Sequence, residues 1–287
     1  MGTTTTIREL ARLICDLLLT DNYCLVALGG FTGKGKSTLS ILLQLEVSRM
    51  MGKPWTFEDN CTWSRKEFLI WVQGVKETKK GTKDKLPKGQ RRKPEYTSIL
   101  PDELFSMFYK RNWNQDAQKS AIALLNMCRD RHLFIAGNVP NFWDLDGGFL
   151  SRVMYYIYIP KRGRAWIFEQ EENPFASDPW NVTENRKLFR RHRRTPYKLP
   201  NFVAELSFKD LEPDQKKAYL EIRNSKRVQA QDDIKKEQVE SYSKIKTDRD
   251  NLIRALYLKH DVTQADIISY CSLKKSQVSN ICLGITK

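Results

Sequence analysis

The sequence predicts an α/β fold with a mainly parallel sheet flanked by helices, followed by a small all-α unit at the C-terminal end. Three observations carry this expectation. Apolar runs of strand length alternate with segments of helical periodicity. A glycine-rich loop, "GGFTGKGKSTLS", joins one such strand to the helix after it. The C-terminal stretch recovers helical spacing after a highly charged region.

In chain order, Ile7, Leu10, Leu13, Ile14, Leu17 and Leu18 recur at helical spacing and predict a helix packed outside a sheet. "NYCLVALGG" reads as a buried strand ending in glycine, and "KSTLSILLQLEVSRMMG" as a helix closed by Gly52. "WTFED" reads as a second strand, and "SRKEFLIWV" opens on a Ser-x-x-Glu capping box formed by Ser64 and Glu67. From Gly74 to Pro94, Lys, Gly, Thr and Pro occur without periodicity, as in a loop. "YTSILPDEL" and "HLFIAGN" predict two further strands, separated by a helical stretch near Asp116 to Arg129. "RVMYYIYIPKRGRAWIFEQ" reads as a hairpin turning at "KRGR". After a proline-rich region at 174–200, residues 212–250 are charged and poor in large apolar side chains, as in a solvated helix or linker. The expected domains are therefore 1–205 for the α/β part, 206–247 for the charged helical linker and 248–287 for the C-terminal unit.

Composition narrows the function. Hydrophobic residues at 40% and aromatics at 11% of 287 exclude a disordered chain. The apolar patches "ICDLLL" and "YCLVAL" fall short of the ~20 residues that span a bilayer, so no membrane partner is expected. "MGTTTTIREL" lacks the basic and apolar regions of a secretory signal, which predicts a cytoplasmic location. The six cysteines show no zinc spacing and read as reduced core residues. The net charge of +15 points to a polyanion such as DNA. Almost all of this excess lies in two blocks. Residues 76–93 hold nine Lys and Arg against two acids, and residues 186–198 hold seven against none. Phosphate contacts from Arg190, Arg191, Arg193 and Arg194 follow from that concentration.

Gly30-Phe31-Thr32-Gly33-Lys34-Gly35-Lys36-Ser37 fits G-x-x-x-x-G-K-[ST] and lies between a strand and a helix, as a P-loop must. Glycines let backbone amides turn inward around phosphate oxygens, and the helix start adds its positive end. On this reading Gly30, Gly33, Lys34, Gly35, Lys36, Ser37 and Thr38 hold ATP. Lys36 reaches the β and γ phosphates, and Ser37 places its hydroxyl on Mg²⁺. Asp102 and Glu103 follow an apolar strand and supply an acid for the metal and one to polarise water. Pro101 before them also fits a Pro-Asp-Glu helix start in which both acids cap orphan amides, and the two readings stay open.

Asn138 ends an apolar strand, and "NFWDLDGGFLSRV" follows. These residues resemble features of the P-loop ATPases of the ASCE type over roughly residues 20–170. Asn138 resembles sensor 1, and Leu145-Asp146 with Ser151-Arg152 resembles the segment that carries the arginine finger of AAA+ ATPases. The stretch is also similar to the HerA/FtsK-type, Zot-like and genome-packaging ATPases of mobile elements and viruses. The hairpin and "NPFASDPWN" stand where an AAA+ helical lid would follow Arg152, which favours the HerA-like or packaging side. The resemblance implies catalytic roles for Lys36, Glu103, Asn138 and Arg152, with Arg152 acting in a neighbouring copy within a ring or filament.

"TQADIISYCSLKKSQVSNI" reads as helix, turn, helix and resembles the DNA-binding motif of repressors and resolvases. Leu273, Val278 and Ile281 would be core contacts, while Lys274, Lys275, Ser276, Gln277 and Asn280 would face a major groove. Ile268 and Ser272 depart from the usual small residue and glycine, and a helical bundle that docks onto protein fits the same pattern. Taken together, the expected function is a DNA-associated, Mg-dependent ATPase, an oligomeric motor or loader in genome packaging or DNA transfer. An AAA+ regulator of replication or transposition, and a nucleotide-gated DNA-binding regulator with negligible turnover, are the alternatives.

Overall fold

In the computed structural model the chain divides into two units, Met1–Arg227 and Val228–Lys287. The structure describes all residues except 1, 2, 21, 74–92, 103, 105–107, 109–121, 124, 126–128, 172–177, 193–194, 261, 272 and 285–287.

The first unit begins with a two-residue strand, β1 (Thr4–Thr5), and helix α1 (Ile7–Leu19). Thr6 caps α1: its hydroxyl accepts from the Glu9 amide at 3.2 Å, while Glu9 accepts from the Thr6 amide at 2.8 Å. Leu10, Ala11, Ile14, Cys15 and Leu18 form its buried stripe. β2 (Cys24–Gly29) is buried at every position, as expected of a central strand covered on both faces. α2 (Lys36–Met50) follows the glycine loop and ends before Gly52, whose φ of 63° is the left-handed closure that glycine permits.

"WTFED" is not a strand. Thr56 accepts from the Asp59 amide at 3.1 Å and starts the one-turn helix α3 (Phe57–Asn60). That local hydroxyl-to-backbone bond competes successfully with an extended conformation. β3 (Cys61–Thr62) comes directly after it, then α4 (Arg65–Gln73). The Ser64 hydroxyl accepts from the Glu67 amide at 3.4 Å, and the Glu67 carboxylate accepts from Lys226. β4 (Ser98–Pro101) and β5 (Phe134–Asn138) match the expected strands. Within the helical stretch expected between them, residues 122, 123 and 125 are helical and Arg129–Arg131 form a 3-10 turn; most of the remainder lies outside the described residues.

α5 (Gly147–Leu150) precedes the hairpin of β6 (Tyr155–Lys161) and β7 (Arg164–Glu169). The proline-rich region contains a helix, α6 (Val182–His192), where Asp178 accepts from the Trp180 and Val182 amides and starts the turn. β8 (Phe202–Ser207), not expected from the sequence, pairs antiparallel with β7 and parallel with β1.

Among the described residues eight strands form one sheet, in the order β1-β8-β7-β6-β2-β5-β4-β3. β6, β2, β5, β4 and β3 are mutually parallel, and β5 lies between the loop-bearing strand β2 and the strand that leads to Asp102. Pro101 is the last residue of β4 and pairs with Thr62, while β5 is matched only with Ser98 and Ile99. Its missing amide therefore costs the ladder nothing on that side. One face packs Leu10, Ile14, Leu39 and Val47 on Val26 and Leu28; the other packs Phe68, Trp71, Phe142 and Trp180 with Leu25 and Ala27.

α2 carries a buried polar row. Ser40 donates to the Ala136 carbonyl at 3.3 Å, Gln44 Nε2 to the Ile99 carbonyl at 2.7 Å, and Ser48 to Ser98 Oγ at 2.8 Å. These bonds lock the helix onto β5 and β4.

The division between the units falls within α7 (Pro213–Lys259). In the second unit α8 (Gln264–Tyr270) and α9 (Lys275–Cys282) close a small core of Ile253, Ile267, Val278 and Cys282, with Leu273 and Ile281 packed against it. Thr263 and Asp266 form the capping box of α8.

Gln44→Leu should destabilise the first unit by about 1–3 kcal/mol, because the Ile99 carbonyl and the Trp55 indole each lose a buried partner. Urea unfolding measures this, and an unchanged midpoint would show that the row does not hold α2 in place.

Candidate nucleotide-binding site

β2 runs into the loop at Gly29, and β5 pairs beside it with Asn138 opposite Leu28. The loop's shape needs its glycines. Gly30 has φ of 134°, and a Cβ there would lie 2.7 Å from the Ile159 carbonyl oxygen. Gly35, at φ 97°, is the left-handed residue at the N-cap of α2. No side chain caps that helix and no acid lies in its first turn, so its leading amides and positive dipole end face the cavity. A loop of this form is suited to hold phosphate oxygens.

Lys36 folds back over the loop, its Nζ donating to the Gly30 carbonyl at 2.6 Å and the Phe31 carbonyl at 3.2 Å. Burial lowers its pKa from the ordinary 10.5, and the neighbouring Asp102 partly opposes that shift. Ser37 Oγ donates to Asp102 Oδ1 at 2.9 Å. Asn138 Nδ2 donates to Ser37 Oγ at 3.2 Å and to Asp102 Oδ1. On the other oxygen, Asp102 Oδ2 accepts from Trp63 Nε1 at 2.9 Å and from the Tyr219 hydroxyl at 2.8 Å. Burial, reinforced by Asp102, raises the Tyr219 pKa far above the ordinary phenol value, so this hydroxyl stays a donor.

These groups open onto a cavity of about 500 Å³. Lys36, Ser37, Thr38, Asp102 and Asn138 line it, and so do Gly33 and Gly35. Its basic rim comprises Arg162, Lys216, Arg223 and Arg227. Arg162 pairs with Asp210 at 2.8 Å. Among the described residues, Asn138 Oδ1 and Arg223 Nε at the cavity are buried polar atoms without a hydrogen-bond partner.

The structure thus brings together Gly33, Gly35, Lys36, Ser37, Thr38, Asp102 and Asn138. Gly30 shapes the loop from outside this cavity, and Lys34, half-buried, donates its amide to the Phe31 carbonyl at 3.4 Å. Arg152 does not line the cavity; its Nη1 donates to the Gly148 carbonyl and, at 3.1 Å, to Ser151 Oγ. Glu103, Arg193 and Arg194 lie outside the described residues, as does the basic block at 76–93 except Lys93. Arg190 and Arg191 are exposed on α6. In the second unit Lys274, Lys275, Ser276, Gln277 and Asn280 are exposed, and the Lys274 amide donates to Gln277 Oε1 at 3.0 Å.

Trp63, Tyr219, Arg162 and Arg223 are not marked as site residues by the sequence. Tyr219-Leu220 is an apolar pair inside the charged run "DQKKAYLEIR", the one available signal for a packed face. Nothing in the spacing of Trp63 singles it out.

The donor set fits Mg²⁺ with a nucleoside triphosphate. Ser37 and Asp102 offer the oxygens that a hard cation takes alongside phosphates, and Lys36 and the start of α2 offer positive charge. Among the described residues no group of three or more His, Cys, Asp or Glu side chains is placed to hold a metal ion, so the phosphates would complete any coordination here. No helix among them is long and apolar enough to cross a membrane.

No protein-family profile matches the chain, and no curated protein does. Among solved structures, similarity extends to the HORMA:CdnC:Trip13 complex of E. coli MS115-1, with 12% identity and a TM-score of 0.34 over 53% of this chain and 61% of the other. PCH-2 of C. elegans gives 18% identity and 0.33 over 54% and 41%. The N-terminal domain of zonular occludens toxin from Neisseria meningitidis gives 16% and 0.31 over 55% and 87%. The chain thus spans less than two thirds of the first two. What defines the site is this chain's own loop, sheet order and polar cluster.

Burial holds the Lys36 pKa below 10.5, which makes stability depend on pH. Between the lowered value and 10.5 the unfolded chain binds the extra proton, so stability without ligand should rise with pH there relative to a Lys36→Met variant. Paired unfolding curves above pH 8 test it; parallel pH profiles would show that Lys36 is not desolvated.

Proposed function

We propose that the chain is a magnesium-dependent ATPase that acts on DNA as a homo-oligomer, a motor or loader in genome packaging or DNA transfer. The observation that supports this best is the convergence of Lys36, Ser37, Asp102 and Asn138 on one cavity at the start of α2. In this reading Lys36 neutralises the terminal phosphates, and the loop from Gly30 to Thr38, Lys34 included, cradles them. Ser37 and Asp102 hold Mg²⁺, which when bound neutralises further phosphate charge. Asn138 Oδ1, buried and without a partner among the described residues, accepts from the attacking water, and Glu103 polarises that water. Arg152 serves the site of a neighbouring copy. The exposed arginines of α6, with Arg193 and Arg194, hold DNA phosphates, and Lys274, Lys275, Ser276, Gln277 and Asn280 read base edges as part of a helix-turn-helix.

A nucleotide-gated DNA-binding regulator is a second reading, favoured by the full engagement of Asp102 by four protein donors. Duplex-stimulated phosphate release separates the two, since a regulator would show binding without stimulated turnover. Lys36→Ala should lower that release by about 10²-fold or more with an unchanged circular dichroism spectrum. Unaltered turnover in this variant would remove the ATPase reading.

A shared site makes a separate demand. Arg152→Ala subunits that bind ATP but do not hydrolyse it should regain activity when mixed with Lys36→Ala subunits. Mixed assemblies shown to form by mass, yet without recovered activity, would refute a role for Arg152 across subunits.

A further inference from the structure

A second cavity, of about 550 Å³, borders the first half of the same loop. Gly30 and Phe31 line it, whereas Thr32, Gly33 and the residues from Gly35 to Thr38 line the phosphate cavity; Pro140 borders both. Its walls are aromatic, formed by Trp143, Tyr156, Tyr158, Phe168, Trp180 and Phe189. Tyr156 stacks on Phe142 with ring centres 4.1 Å apart, and Phe189 meets Tyr158 edge-on at 5.7 Å. Phe31 is 75% exposed and Phe189 37% exposed at this cavity, an arrangement that a planar ligand would relieve by covering the rings.

Charge selects among planar ligands. Arg186 and Arg190, both on α6, line the cavity, and among the described residues no Asp or Glu does. The Arg186 guanidinium lies 5.8 Å from the Trp143 ring centre, so one arginine is already set against an aromatic face. Aromatic faces beside cations are the combination that takes an unpaired base with its flanking phosphates. A base stacked within a duplex presents only its edge and could not enter such a cavity without leaving the stack.

We propose that this cavity binds single-stranded nucleic acid, seating one base among the aromatic side chains while Arg186 and Arg190 hold the adjoining phosphates. This rests on the nucleic-acid part of the function proposed above and deepens it. The carbonyls of Gly30 and Phe31 are the acceptors for the Lys36 ammonium. A base resting on Phe31 therefore bears on the peptide units that position Lys36, which links strand binding to the phosphate site through one turn of backbone.

The test needs no ATP. Anisotropy titrations would compare a labelled oligothymidine of about 15 nucleotides, an abasic strand of the same length and charge, and a duplex. The thymidine strand should bind the wild-type protein about tenfold more tightly than the abasic one, and Phe189→Ala should remove most of that difference. Arg186→Ala should weaken both single strands, with thermal melts confirming that each variant folds. Equal affinity for thymidine and abasic strands, which needs no variant, would overturn the seating of a base. So would a thymidine affinity unaffected by Phe189→Ala. Either result leaves duplex-stimulated ATP turnover standing. If Phe189→Ala instead alters the assembly mass and not strand affinity, the cavity is a contact between copies and the proposal falls. No binding to any of the three nucleic acids would overturn it together with the DNA part of the proposed function, leaving nucleotide hydrolysis to be judged alone.

Discussion

A buried carboxylate costs several kcal/mol unless its oxygens are hydrogen-bonded, and Asp102, 7% exposed, meets that requirement with donors from four separate parts of the first unit. Ser37 comes from the first turn of α2, Asn138 from the end of β5, Trp63 from the link between β3 and α4, and Tyr219 from α7. Each donor depends on the others, because an incompletely satisfied buried network is far less favourable than a complete one. The alignment of the glycine loop with the strand ends follows from this shared constraint.

Sheet order supplies the spacing. Neighbouring strands lie roughly 4.8 Å apart, so placing β5 between β2 and β4 leaves a gap between the loop and Asp102 that Asn138 fills. The buried polar row on α2 keeps that gap constant by tying Ser40, Gln44 and Ser48 to β5 and β4. β7 and β8 extend the sheet on the opposite side of β2, and Tyr156, Tyr158 and Phe168 on β6 and β7 build the aromatic cavity next to the loop. One loop thus separates a basic, polar cavity from an aromatic one.

Local patterns in the chain account for much of this architecture. α1, β2, α2 and the β6–β7 hairpin follow from short-range periodicity, from Gly52 and from the turn "KRGR". The strand expected at "WTFED" does not form because a Thr56 cap, a matter of one hydroxyl, outweighs the aromatic content that suggests extension. "FVAELS" carries only a short alternation, Phe202, Ala204 and Leu206 on one face with Ala204 and Leu206 buried, and the strand's place in the sheet is set by pairing with β7 and β1.

Residue types at short spacing are enough to reveal the glycine loop with Lys36 and Ser37, its flanking strand and its helix, whereas they leave Asp102 with two readings and Asn138 to a resemblance. What surrounds Asp102, and which side chains wall the two cavities, emerges from long-range packing. Trp63 and Tyr219 reach that carboxylate across 39 and 117 residues of chain. No local pattern encodes such separations, since the donors are chosen by the packing of whole helices and strands and by the need to satisfy a buried charge.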